Sequence, residues 1–248
     1  MRPALAFLGL VLGGFASGQS EYPDWFYGTL PEGWAAVFAA TPEEAVDAAS
    51  QVLAAYRSVR VRGNFQQLYD DAIDDGTWQN TDYRFEYEQS RADSLKNSLA
   101  ADNGFVVDLL NGTRLWLVGP KTQPWKGAVT PSAWADRPKP AWADLWAGVD
   151  AGRRFGVGRF TLKGAAPDAW ITAESQALFN LLVSDKLKLA HVNQADVSAA
   201  GSHTAQMEWI KLDFAVKDLR VDGRWVDPEH LDAVVLISAP AESVTALN

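Results

Sequence analysis

The chain has 248 residues, 31 acidic against 22 basic side chains, a net charge of −9, 48% hydrophobic residues and no cysteine. An acidic balance without a Lys/Arg run repels a phosphate backbone, so nucleic acid is set aside as a partner. The lack of thiols excludes disulfides, thiolate metal sites, a cysteine nucleophile and lipidation through a lipobox Cys.

Met1 and Arg2 precede an apolar run from Ala4 to Ala16, and Ala16 and Gly18 offer small side chains for a cut before Gln19. This is a signal-peptide layout, shorter than the roughly 20 residues a spanning helix needs. Residues 1–18 are therefore expected to direct export to the periplasm, the cell surface or the medium, and no transmembrane span is expected in the mature chain.

Tyr22 to Gly28 forms an aromatic lead-in, and the apolar stretch from Trp34 to Ala40 predicts a buried strand. Thr41 to Arg57 is the clearest element. Thr41 is placed to cap a helix, Pro42 suits its first position, and Glu44 completes a capping box. Ala45, Ala48, Ala49, Val52, Leu53 and Tyr56 recur at helical spacing, so a narrow stripe of mostly small residues can lie close against a sheet.

Beyond Arg57 the period changes to two. Val59, Val61 and Phe65 alternate with polar residues, and after a polar break from Asp70 to Thr81 so do Tyr83, Phe85 and Tyr87. Gln89 to Gly104 is polar and weakly periodic. Asn111 and Gly112 then separate two apolar runs, which is a strong hairpin signal. Gly119 to Trp146 carries Pro120, Pro124, Pro131, Pro138 and Pro140, which predicts an irregular boundary segment packed down by its tryptophans.

The pattern then recurs. Arg153 to Gly164 predicts a strand containing Gly156 and Gly158, and the helix that follows has Trp170, Ala173, Ala177, Leu178, Leu181 and Leu182 on one side. Ile210, Leu212, Phe214 and Val216 alternate along a further strand, Val221 to Arg224 predicts a second x-Gly hairpin turn, and Ala233 to Ser238 a closing strand. The order implies an internal duplication in an α+β chain: a first β-α-β-β module over 19–120, a Pro/Trp-rich linker over 121–145 and a second β-α-β-β module over 146–248. Two such modules are expected to meet across a pseudo-twofold interface.

Little points to chemistry. His191, His203 and His230 fit no metal-ligand spacing, and the glycines of the Gly156 to Gly164 stretch match neither a P-loop nor a helix-opening fingerprint. Asp70-Asp71 and Asp74-Asp75 are acid pairs of the kind glycoside hydrolysis uses, but adjacent acids in a polar break are expected in a solvated turn. The eleven tryptophans serve either as core or as binding platforms. No catalytic, cofactor-binding or metal-ligating residue is nominated, and no cofactor is expected.

Tyr-Pro-Asp-Trp-Phe at 22–26, Gly-Trp-Ala-Ala-Val at 33–37, the Thr41 helix, Val-Arg-Val-Arg-Gly at 59–63 and Thr-Arg-Leu-Trp-Leu-Val-Gly-Pro at 113–120 resemble the small bacterial outer-membrane lipoprotein family that includes flagellar-assembly lipoproteins. The resemblance spans Tyr22 to Pro120 and, more faintly, Pro140 to Pro240. It implies dodecin-like modules, each a helix packed on a small, mainly antiparallel sheet. It also implies a non-catalytic envelope or cell-surface assembly or scaffold protein, whose partners are envelope proteins or further copies of itself. The chain departs from the family in lacking the lipid-bearing Cys and in carrying the module twice. The alternative is a secreted glycan-binding or glycan-hydrolysing protein using exposed Trp and paired carboxylates.

Overall fold

The computed structural model describes residues 21–70, 77–108, 114–127, 131–133, 137–162, 166–183, 194–197 and 204–247. The signal-like segment, Asp71, Asp74, Asp75, Asn111, Gly112, His191 and His203 lie outside them. In chain order the elements are β1 (Glu21–Pro23), α1 (Asp24–Tyr27), β2 (Ala35–Ala39), α2 (Pro42–Arg57), β3 (Ser58–Asp70), β4 (Thr77–Tyr87), α3 (Gln89–Lys96), β5 (Leu99–Asp108) and β6 (Arg114–Pro120). There follow β7 (Pro131–Ala133), a 3-10 turn (Ala141–Asp144), β8 (Ala147–Asp150), β9 (Arg153–Thr161), α4 (Ala166–Val183), β10 (Gln194–Val197), β11 (Thr204–Lys217), β12 (Arg220–Asp227), β13 (Asp232–Pro240), a second 3-10 turn (Ala241–Ser243) and β14 (Val244–Ala246). The fold is α+β with antiparallel sheets.

The α2 start follows its sequence. Thr41 Oγ1 accepts the Glu44 amide at 3.2 Å, and the Glu44 carboxylate accepts the amide of Ala40 at 3.0 Å, one residue earlier than the usual reciprocal bond. Ala45, Ala49 and Leu53 are buried against Ala35 and Val37 of β2 and Trp116 and Val118 of β6, in a sheet ordered β2-β6-β5. The other face of that sheet, with Trp34, Leu115 and Leu117, turns into a central core.

The second half repeats this strand order as β9-β13-β12, with β8 added beyond β9. Here α4 lies on the core side. Ala173, Ala177 and Leu181 share the central core with Val235 and Ile237 of β13, while the far face of the sheet packs Val157, Trp225 and Val234 on Ala143 of the 3-10 turn. One helix is therefore outside its sheet and the other inside, so the halves stack in the same sense and the expected pseudo-twofold interface is not formed. Helix polarity explains it. From Ala177 to Val183 every residue of α4 is buried, whereas α2 has one apolar stripe and must keep Glu43 and Glu44 in water.

The halves share one sheet. Its order is β10-β11-β3-β4, with β14 also on β11, and β3 pairs β11 from Ser58 opposite Lys217 to Asp70 opposite Ala205. Its inner face contributes Val59, Val61, Leu212, Phe214 and Val216 to the central core. On the outer face Arg60 makes two 2.8 Å bonds to the Asp213 carboxylate. The aromatic lead-in plugs the middle: Tyr22 and Phe26 stack at 4.7 Å, and Trp170 Nε1 donates to the Tyr22 hydroxyl at 3.1 Å.

Several expectations are corrected. Val221 to Arg224 is not a turn but part of β12, where the register shifts between Val221 and Gly223; the β12–β13 hairpin turns instead after Asp227. Gly223 is needed because a Cβ there would come within 2.9 Å of the Trp142 ring, a demand for close approach that mimics a turn signal. The polar break ends early, since Thr77 already opens β4, and the weakly periodic stretch after Tyr87 forms α3 and the start of β5. Within the Pro-rich segment, Pro131–Ala133 pairs with Glu21–Pro23.

Gly156 and Gly158 let α4 approach β9. A Cβ at Gly158 would overlap the Ala173 carbonyl and the Ala177 amide, both fixed backbone. Gly158→Ala is expected to lower unfolding stability in urea by about 3 kcal/mol, at the upper end of overpacking costs. Gly28→Ala is the control and is expected to change little, because nothing lies within 4 Å of the added atom.

Candidate functional site

A cavity of about 420 Å³ opens where the halves meet. Its walls are the α1–β2 loop from Thr29 to Trp34, the end of α2 with Leu53, Tyr56 and Arg57, Leu95 of α3, Arg153 at the start of β9, and Asp218 to Val221 with Arg224. The β11–β12 turn closes the end of α2. Leu219 donates its amide to the Tyr56 carbonyl at 2.8 Å and Asp218 donates to that of Arg57 at 3.4 Å, so one half caps the helix of the other. Asp218 adopts a φ of 54° to make this turn.

Four arginines line the cavity against two carboxylates, Glu32 and Asp218. Arg57 pairs with Glu32, and Arg220 pairs with Asp222. Arg224 is the most buried, with 3% of its side chain exposed. Its Nε and a terminal nitrogen donate to Glu174 at 3.1 and 2.7 Å, the other terminal nitrogen donates to the Phe26 carbonyl at 3.1 Å, and the guanidinium lies 4.7 Å from the Phe26 ring centre. That fan of donors satisfies the charge and ties α1, α4 and β12 together. Burial pushes the neighbouring Tyr56 hydroxyl up, Glu174 adds to the rise and Arg224 opposes it.

Arg153 is held differently. Its Nε donates to Ser238 Oγ at 2.8 Å, and a terminal nitrogen donates to the carbonyls of Asp218 and Ser238, each at 3.2 Å. Ser238 Oγ in turn donates to Asp222. Burial, and then the nearby Arg220 charge, lower its pKa. Among the described residues no carboxylate lies within ion-pair distance of it.

Residues considered from sequence fall elsewhere. His230 sits in the β12–β13 turn, its Nδ1 3.1 Å from Asp227, which also accepts the Glu229 amide at 3.0 Å. Asp70 ends β3. Of the tryptophans whose side chains are described, Trp25, Trp34, Trp116, Trp170 and Trp225 are buried, Trp125 and Trp142 half-buried, and only Trp146 exposed, so these rings form core instead of an open platform. Among the described residues no group of three His, Cys, Asp or Glu could hold a metal, and no helix is long and apolar enough to cross a membrane. Sequence reasoning missed the arginines. Arg224 left one signal, the single basic residue in the Val221 to Val226 stretch, two positions after Asp222.

Two outcomes follow from these contacts. Arg224→Met is expected to cost about 2–3 kcal/mol in thermal or urea unfolding, less than a fully buried broken pair because Glu174 keeps some access to water. The Asp227 hydrogen bond raises the His230 pKa above 6.5, so the stability it contributes is present below pH 6.5 and is lost as pH rises through the folded value. Burial alone would raise Asp227, but the His230 ring and the Glu229 and His230 amides outweigh it and leave the carboxyl below 3.8, so its share is lost as pH falls through that lowered value. NMR titration of His230 should show the raised pKa, and Asp227→Asn should bring it back towards 6.5.

Compared with protein-family models, with curated proteins and with solved structures, the chain matches none of them significantly.

Proposed function

We propose that the protein is a non-catalytic, exported component of the cell envelope or cell surface, built from two tandem dodecin-like modules, that works by assembling with a partner or with further copies of itself. The observation that carries this reading is the outer edge of β4. It is an eleven-residue strand at the end of its sheet, with no strand beside it among the described residues. Free edges are templates for another chain, and proteins that must stay apart shorten them or block them with Pro, Lys or bulges. β10, at the other end of the sheet, spans only four residues. β4 is long, carries neither Pro nor Lys, and pairs β3 without a register shift. A strand added there extends the sheet through main-chain bonds.

The tandem-module part is supported by the matching strand orders β2-β6-β5 and β9-β13-β12, each with a helix following its first strand. Export is supported by the N-terminal apolar run. The non-catalytic part is supported by the cavity's polar groups, which are chiefly arginines held by carboxylates and carbonyls, groups that fix charge instead of moving protons near neutral pH.

A photo-crosslinking residue at Asn80, in the chain expressed with its own N-terminal segment, tests the reading. The expected result is one discrete adduct in the envelope or surface fraction, either a dimer or a single partner, with none from the same probe at Glu229. Adducts equally abundant from both positions, or none from Asn80, would remove the edge as an assembly surface. Retention of the protein in the cytoplasm would remove the export claim.

A further inference from the structure

We infer that the cavity between the two halves is a binding site for a small organic monoanion, a carboxylate joined to an apolar body. This goes beyond the assembly reading and does not depend on it, because the β4 edge is formed by other residues.

Size comes first. At about 420 Å³ the cavity lies within the range of small-ligand sites, roughly 300 to 1,000 Å³, and it is partly open to solvent. Its wall is divided in character. Leu30, Trp34, Leu53, Leu95, Leu219 and Val221 make one part apolar, and the four arginines make another cationic. The wall carries four arginines and two carboxylates, and Asp222 and Glu174 pair with two of the arginines, so charge is locally matched and the individual contacts decide what can bind.

The arginines are not equivalent. Arg57, Arg220 and Arg224 each have a carboxylate partner, in Glu32, Asp222 and Glu174. Arg153 is fixed by one hydroxyl and two carbonyls, and Asp218, Asp222 and Glu242 act on it only through space. Its guanidinium is thus oriented in advance by neutral acceptors, at the edge of an apolar pocket, with no carboxylate in contact among the described residues. A ligand carboxylate supplies a counter-ion at no cost in reorganising the side chain, and hydrogen bonds to charged groups are the stronger kind. The apolar part of the ligand then covers Leu219, Val221 and Leu30. A neutral ligand of the same shape leaves Arg153 without its partner, and a cationic one meets it with like charge.

Calorimetric titration of the exported chain with phenylpropionate, phenylpropanol and phenylpropylammonium tests the inference, since the three probes share a body and differ in head-group charge. The carboxylate is expected to bind at one site per chain, at least about tenfold more tightly than the alcohol, with no heat from the amine. Arg153→Met is expected to abolish the preference of carboxylate over alcohol. Because that variant also frees Ser238, Leu30→Trp is the second arm: it fills the cavity from the loop, leaves the arginine contacts intact, and should weaken carboxylate and alcohol alike. Equal binding of carboxylate and alcohol to the unmodified chain would overturn charge recognition. Lack of binding by any probe, or carboxylate binding unchanged in Leu30→Trp, would overturn the site itself. Neither result bears on crosslinking at Asn80, so the two proposals fail separately.

Discussion

The antiparallel ladder between β3 and β11 is the constraint on which the molecule depends. It runs the whole length of β3 and joins strands more than 130 residues apart in sequence, so neither half closes its hydrophobic face without the other. Val59 and Val61 from one half and Leu212, Phe214 and Val216 from the other form a single inner surface. Everything packed on that surface, α4 and the aromatic lead-in above all, is held by both halves at once. Closing so long a loop costs entropy before any contact forms, and the long ladder with its shared core is what offsets that cost.

Arg224 locks the arrangement from inside. A buried guanidinium is tolerated only when its donors are met and its charge is paired, and here Glu174, the Phe26 carbonyl and the Phe26 ring do both. Since those partners come from two elements, α4 and α1, and Arg224 itself from β12, only one mutual placement of α1, α4 and β12 satisfies them. The backbone bonds from Leu219 and Asp218 to the end of α2 add the fourth element by the same logic. The cavity is a by-product of this meeting. Helix end, turn and loop converge without filling the space between them, and the arginines that organise the junction give it its charge.

The stacking in one sense follows from how differently the two helices distribute apolar residues. α2 carries Glu43, Glu44, Asp47 and Gln51 away from its stripe, and it covers the outside of its sheet. α4 is buried continuously from Ala177 to Val183 and its approach is set by Gly156 and Gly158, where β9 offers no side chain. A helix with apolar residues around its circumference is stable only when covered from several sides, so it takes the interior.

Local patterns in the sequence determined the elements whose signals are short-range. Thr41, Pro42 and Glu44 marked where α2 begins, alternation marked β3 and β11, and a continuous apolar run marked β13, because capping, face alternation and apolar runs are settled within a few residues. The α+β class and the repeated order of strand and helix were legible for the same reason. The tertiary structure decided what depends on contacts between distant residues. Asp222-Gly223 has the composition of a turn, yet lies in a bulged strand because Trp142, brought in from elsewhere in the chain, needs room at Gly223. Arg57 shares a cavity with Arg220 and Arg224 only because β3 and β11 pair and bring the β11–β12 turn to the end of α2. No local spacing encodes that meeting, since its partners are separated by more than a hundred residues and are selected by the energy of the common core.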